Sequence, residues 1–152
     1  MLLLSVKVKT HTVSALSVLC AVLLTGLCFF MLSLSEKDTV PIGGEPYPLK
    51  AEDEGDVARF LSACGYSVER CLSQREIVIP DEWNDSFTAY AKMQEEQGFD
   101  LSSVRGENAT EYIYTLKDDE RFAVVFVSDG RIRSAHLSRL NGKSAPEPII
   151  SE

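Results

Sequence analysis

Histidine is nearly absent from this sequence: the 152-residue chain has two, His11 and His136. That scarcity excludes an HExxH helix and leaves the cysteines without the imidazole partners of a common zinc site. A GxSxG elbow and a P-loop are also missing, and no serine has a base partner at a recognisable spacing. Chemistry at a site needs several convergent groups. The expectation is therefore a non-enzyme with no metal and no cofactor, the alternative being a hydrolase with an unrecognised site. No unit recurs with a period of tens of residues, which argues against a repeat protein.

Acidic residues are missing too, but only from the beginning. No Asp or Glu precedes Glu36, and Lys7 and Lys9 are the only Lys or Arg there. Residues 36–152 hold all 23 acids and 13 of the 15 bases, a balance of ten negative charges. Such a surface repels phosphate backbones, so no nucleic-acid partner is expected.

Within the acid-free stretch, residues 13–34 read VSALSVLCAVLLTGLCFFMLSL, 22 positions without a charge. About 20 apolar residues span a bilayer core, so this run predicts a transmembrane helix. Lysines before it and Glu36, Lys37 and Asp38 after it place residues 1–12 in the cytoplasm and the rest outside. Cleavage near Ser33-Leu34-Ser35, giving a secreted protein, is the alternative. A lipoprotein is disfavoured, because Leu19 precedes Cys20 and Leu27 precedes Cys28 where a small residue is needed.

Residues 35–50 contain Pro41, Gly43, Gly44, Pro46 and Pro48 and read as an extended spacer, since proline opposes helix and the glycine pair opposes a stable strand. A domain is expected over residues 51–140 and a loose tail over 141–152, where Pro146 and Pro148 lie. In the domain, Val57, Phe60, Leu61 and Cys64 have helical spacing, and Gly65 is placed to stop the helix. Two short strands follow, 66–72 and 76–79. Asp81 is the expected cap of a second helix with Trp83, Phe87, Tyr90, Ala91 and Gln94 on one face, closed by Gly98. Strands at 111–116, 121–128 and 131–138 complete an antiparallel meander, with Asp129-Gly130 as a two-residue turn pairing Val127 with Ile132, Val125 with Ser134 and Ala123 with His136. The fold class is α+β, with two helices packed on an antiparallel sheet.

Cys64 and Cys71 are the candidate disulfide, closing a small loop outside the cytoplasm; a buried free thiol packed as a small hydrophobe is the alternative for Cys64. Tyr112 and Tyr114 share a sheet face with Ala123, Val125 and Val127, and read either as core or as an aromatic interaction surface. His136 stands alone on its strand and reads as structural. The acid runs Glu95-Glu96 and Asp118-Asp119-Glu120 lack the Asp-x-Asp-x-Asp-Gly order of a calcium loop. Asn84-Asp85-Ser86 and Asn108-Ala109-Thr110 match glycosylation sequons.

An ordered set of residues adds a likeness. Phe60-Leu61, Gly65-Tyr66, Val68, Ile79-Pro80, Phe87, Tyr90, Gln94, the run Gln97-Gly98-Phe99-Asp100-Leu101, Gly106, Tyr112 with Tyr114, and Asp129-Gly130 together resemble a domain family of unknown function from envelope proteins of anaerobic Gram-positive bacteria. The likeness covers residues 57–138 and departs from the family pattern at Ala91, Val104 and Glu107. It implies the α+β fold and an envelope location behind an N-terminal hydrophobic segment.

The expected function is a membrane-tethered, non-catalytic binding or interaction module with an envelope protein as partner. A sensor subunit signalling through its helix is the alternative. The outward placement predicts that Cys64 and Cys71 become alkylated from outside intact cells after reduction and denaturation of the outer face; failure to label either would contradict it.

Overall fold

The computed structural model describes residues 22, 24, 25, 38–139 and 144–150. The chain divides into two units, Met1–Glu36 and Lys37–Glu152. The uncharged run at 13–34 lies outside the described residues except for Val22, Leu24 and Thr25, which are helical. No helix among the described residues is long and apolar enough to cross a membrane.

The second unit is α+β. A hairpin of β1 (Thr39–Ile42) and β2 (Glu45–Pro48) leads into α1 (Glu54–Ala63), β3 (Val68–Val78), α2 (Asp85–Glu96), a 3-10 turn at Ser102–Val104, then β4 (Asn108–Leu116), β5 (Arg121–Ser128), β6 (Arg131–Arg139) and β7 (Glu147–Pro148). The main sheet is antiparallel, in the order β3-β4-β5-β6-β7.

The hairpin corrects the reading of 35–50 as an extended spacer. Gly43 and Gly44 both have positive φ, 61° and 84°, so the pair that was to prevent a strand supplies its turn. Prolines 41, 46 and 48 are tolerated for a geometric reason. Bonded and non-bonded pairs alternate along an antiparallel ribbon. Counting from the Leu49 N–H to Asp38 carbonyl bond at 2.9 Å, the pairs Thr39–Pro48 and Pro41–Pro46 occupy non-bonded positions, where a missing N–H removes no ladder bond. Val40 and Leu49 are buried in the main core. Gly98 packs so closely here that a Cβ on it would meet Val40 Cγ1 at 3.2 Å.

Both helices carry the stops their glycines predicted. Tyr66 N–H donates to Leu61 O and Gly65 N–H to Ser62 O; Phe99 and Gly98 repeat the pattern on Gln94 and Glu95. Each is a Schellman motif with a left-handed glycine. The start of α2 differs from expectation. Asn84, not Asp81, is the cap, accepting from Phe87 N–H at 2.8 Å, so Trp83 precedes the helix and its indole N–H donates to Pro80 O at 2.7 Å. The two short strands expected at 66–72 and 76–79 are one strand, because Ser73, Gln74 and Arg75 pair with Ile113, Tyr112 and Glu111.

Asp129 and Gly130 form the expected turn, both with positive φ, and Val127 pairs with Ile132. Beyond it the register departs from expectation: Val125 pairs with Ala135 and Ala123 with Leu137, because a bulge leaves Arg133 unmatched. One extra residue turns all later side chains over. Ala135 and Leu137 thus join the core beneath α1, while Ser134 and His136 face α2.

The sheet is covered on both sides. Val57, Phe60 and Leu61 of α1 pack with Tyr112, Tyr114, Ala123, Val125 and Leu137. On the other face Phe87, Tyr90 and Ala91 of α2 meet Ile79, Leu101, Val104, Ala109 and Phe126. The tail expected to be loose supplies β7, and Ile149 is buried in the first core. Two buried glutamines complete the edge: Gln94 Oε1 accepts from Ala135 N–H at 3.0 Å, and Gln97 Oε1 accepts from Ile149 and Ile150 N–H at 2.8 and 3.0 Å. Gln94→Leu removes the acceptor of a buried N–H and should cost about 1–3 kcal/mol in urea unfolding of the full chain in detergent. Lys92→Ala, at an exposed position of the same helix, should stay within about 0.5 kcal/mol.

Candidate functional site

Trp83, Phe87, Tyr90, His136 and Phe126 form a continuous run of rings from the surface to the sheet. Successive centroids lie 5.3, 5.7, 5.2 and 6.1 Å apart, with the last two pairs and Phe87–Tyr90 edge to face. Such tilted contacts suit the quadrupoles of aromatic rings. The spacing of Phe87, Tyr90 and Gln94 on one helical face sets the α2 half of this run, and the bulge at Arg133 sets the β6 half.

At its inner end Tyr90 Oη lies within hydrogen-bonding distance of Ser134 Oγ and 2.9 Å from His136 Nδ1. Serine, tyrosine and histidine are the residue types of a proton relay, but this trio is sealed: Ser134 has no exposure and His136 has 8%. Burial pushes the His136 pKa down to about 4 and that of Tyr90 well above the usual phenol range, so all three groups are neutral near pH 7. Their chemistry is hydrogen bonding within the layer between α2 and the sheet.

The residues singled out in the sequence fall in different places. Tyr112 and Tyr114 are buried under α1 with stacked rings 6.4 Å apart, so they offer no interaction surface. Tyr114 Oη donates to Glu54 O at 3.1 Å, and Gln74 Nε2 donates to Tyr112 Oη at 3.4 Å. Cys64 and Cys71 are free thiols beside the same core, in place of the candidate disulfide. Burial pushes the Cys64 thiol up to about 12, which makes it a poor nucleophile; Cys71 Sγ donates weakly to Ser73 O at 3.4 Å. Asp119, from the second acid run, is held below the usual carboxylate range by Arg121, which bonds it at 2.7 Å and also reaches Glu147 at 2.9 Å.

At the outer end of the ring run lies a groove of about 410 Å³ between α2 and the segment from Gly98 to Arg105. Trp83 forms part of its wall, with the Arg105 guanidinium carbon 3.6 Å from the ring centroid. Lys92, Glu95 and Asp100 contribute charges to it. Asp100 is turned into its own loop, accepting from Ser102 Oγ at 2.8 Å and Ser103 N–H at 3.2 Å. Lys92 and Arg105 meet no carboxylate at ion-pair distance among the described residues, a lack they share with Arg70, Lys117 and Arg133, but they alone of these line the groove beside Trp83. The sequence reading had singled out neither cation. They lie 13 positions apart, and only the turn through Gly98 and the 3-10 segment brings them to one groove.

Comparison of the chain with protein-family profiles, curated proteins and solved structures returned no match.

The buried imidazole has a measurable consequence. Its folded-state pKa of about 4 lies below the unfolded value of 6.5, so the unfolded chain takes up the proton first as pH falls. The stability contributed by the neutral ring is complete above pH 6.5 and is lost as pH falls from there towards 4. Unfolding free energy should drop by about 2 kcal/mol between pH 7 and 4.5, and His136→Gln should flatten that slope when the two chains are compared by urea titration.

Proposed function

We propose that the Lys37–Glu152 unit is a non-catalytic binding module tethered to a cell-envelope membrane, with the Trp83 groove as its contact surface. The observation that carries this reading is the pair Lys92 and Arg105. In a unit nine charges negative, two cations without a carboxylate partner among the described residues line one groove beside the chain's single tryptophan. An indole wall with an arginine on its face provides apolar area and charge together, a combination common at recognition surfaces. The groove suits a partner that brings an anionic group to it.

The tether in this proposal is the uncharged run at 13–34, and the likeness to envelope domains supports the same location. Confinement near a membrane raises the effective concentration of a partner in the same layer, so a weak contact suffices.

The test uses the full chain in detergent as bait for envelope extracts. A partner retained by the natural chain and lost by Lys92→Ala with Arg105→Ala is the expected result, with emission from Trp83 shifting as the partner binds. A chain that retains nothing, or retains the same partner with both cations removed, overturns the assignment.

A further inference from the structure

The two edges of the main sheet are treated differently. β6 has its outer peptide groups met at Gly130 and Ile132 by residues 49–51, at Ala135 by Gln94, and at His136 and Leu137 by β7. β3, the other edge, pairs with β4 alone among the described residues. Over residues 73–78 that pairing has no bulge, and β3 contains no proline, so a regular row of N–H and C=O groups faces outward. Leu72 and Val78, both on β3, are 44% and 63% exposed, and are the only exposed large hydrophobics among the described residues of the second unit. Its charges, Glu69, Arg70, Arg75 and Glu76, sum to zero within a strongly acidic unit.

We propose that this edge is a homodimer interface in which β3 strands from two copies pair antiparallel about Arg75, joining two five-stranded sheets into one. A two-fold axis perpendicular to the sheet sets one residue opposite its own copy. Centring on Arg75 places Ser73 opposite Ile77, Gln74 opposite Glu76, and Leu72 against Val78 at both ends. This register covers both exposed apolar side chains and keeps the irregularities at Glu69 and Leu72 out of the middle of the pairing. The two central arginines are each ion-paired with Glu111 of their own chain, so they do not meet as bare like charges. Charge also selects the partner. Two copies of an acidic unit repel across most orientations, and this strand offers a locally neutral approach.

Sedimentation of the full chain in detergent over a concentration series is expected to show a reversible dimer. Leu72→Lys combined with Val78→Lys should raise its dissociation constant roughly tenfold or more. Both positions are exposed, so at concentrations below the dissociation constant, where both chains are monomers, the urea midpoint of the variant should match the natural chain and show that folding is intact. Arg75→Cys should form a disulfide-linked dimer that the unsubstituted chain does not. A natural chain that stays monomeric overturns the proposal, as does a dimer unaffected by the two lysines, which would be held elsewhere. Cross-linking through Gln74→Cys or Glu76→Cys without Arg75→Cys overturns the register.

Discussion

A strand at the border of a sheet has a second row of peptide groups, and burying that row without partners is costly. In this protein β6 carries that burden, and three distant stretches of chain relieve it. Ile132 N–H reaches Leu49 O at 2.8 Å, Ala51 N–H reaches Gly130 O at 2.8 Å, and Gln94 takes Ala135 N–H before β7 closes the row. Each contact brings more than its own bond. The segment at 49–51 draws the N-terminal hairpin and Val40 into the core, Gln94 fixes the end of α2, and β7 seats Ile149. Arg121 then fastens β7 from the start of β5 through Glu147.

The two faces of the sheet solve different problems. Under α1 the contact is almost wholly apolar, and two tyrosines have their hydroxyls met by Glu54 O and Gln74. Under α2 the contact is mixed, because the bulge at Arg133 turns Ser134 and His136 inward. A polar layer of that kind is stable only when every group is met, and no buried side-chain polar atom among the described residues lacks a partner. Tyr90 is the link, contributing a ring to the aromatic run and a hydroxyl to the polar trio. The same layer supports the outer wall of the groove, since Trp83 rests on Phe87 and Phe87 on Tyr90. A groove wall built on a packed layer keeps its shape better than one on a free loop.

The sequence alone determined the features that depend on neighbours along the chain. Helix α1 with its glycine stop, the closure of α2 at Gly98, the α+β class, and the left-handed pair Asp129-Gly130 each follow from steric preferences acting over a few residues. Side-chain alternation likewise placed Tyr112 and Tyr114 on one face with Ala123, Val125 and Val127. The tertiary structure decided whatever depends on a distant partner. Gly43-Gly44 and three prolines suggested a tether when read locally; they form a hairpin because Val40 and Leu49 have a core to enter. The bulge that turns His136 towards α2, and with it the Tyr90 trio, has no signature in the spacing of β6. Lys92 and Arg105 look like ordinary surface cations in sequence, and become a pair only because the chain turns at Gly98 and lays Arg105 over Trp83. Which side chains line the groove beside Trp83 was decided by packing, because long-range contact, not local preference, chooses which side chains share a groove.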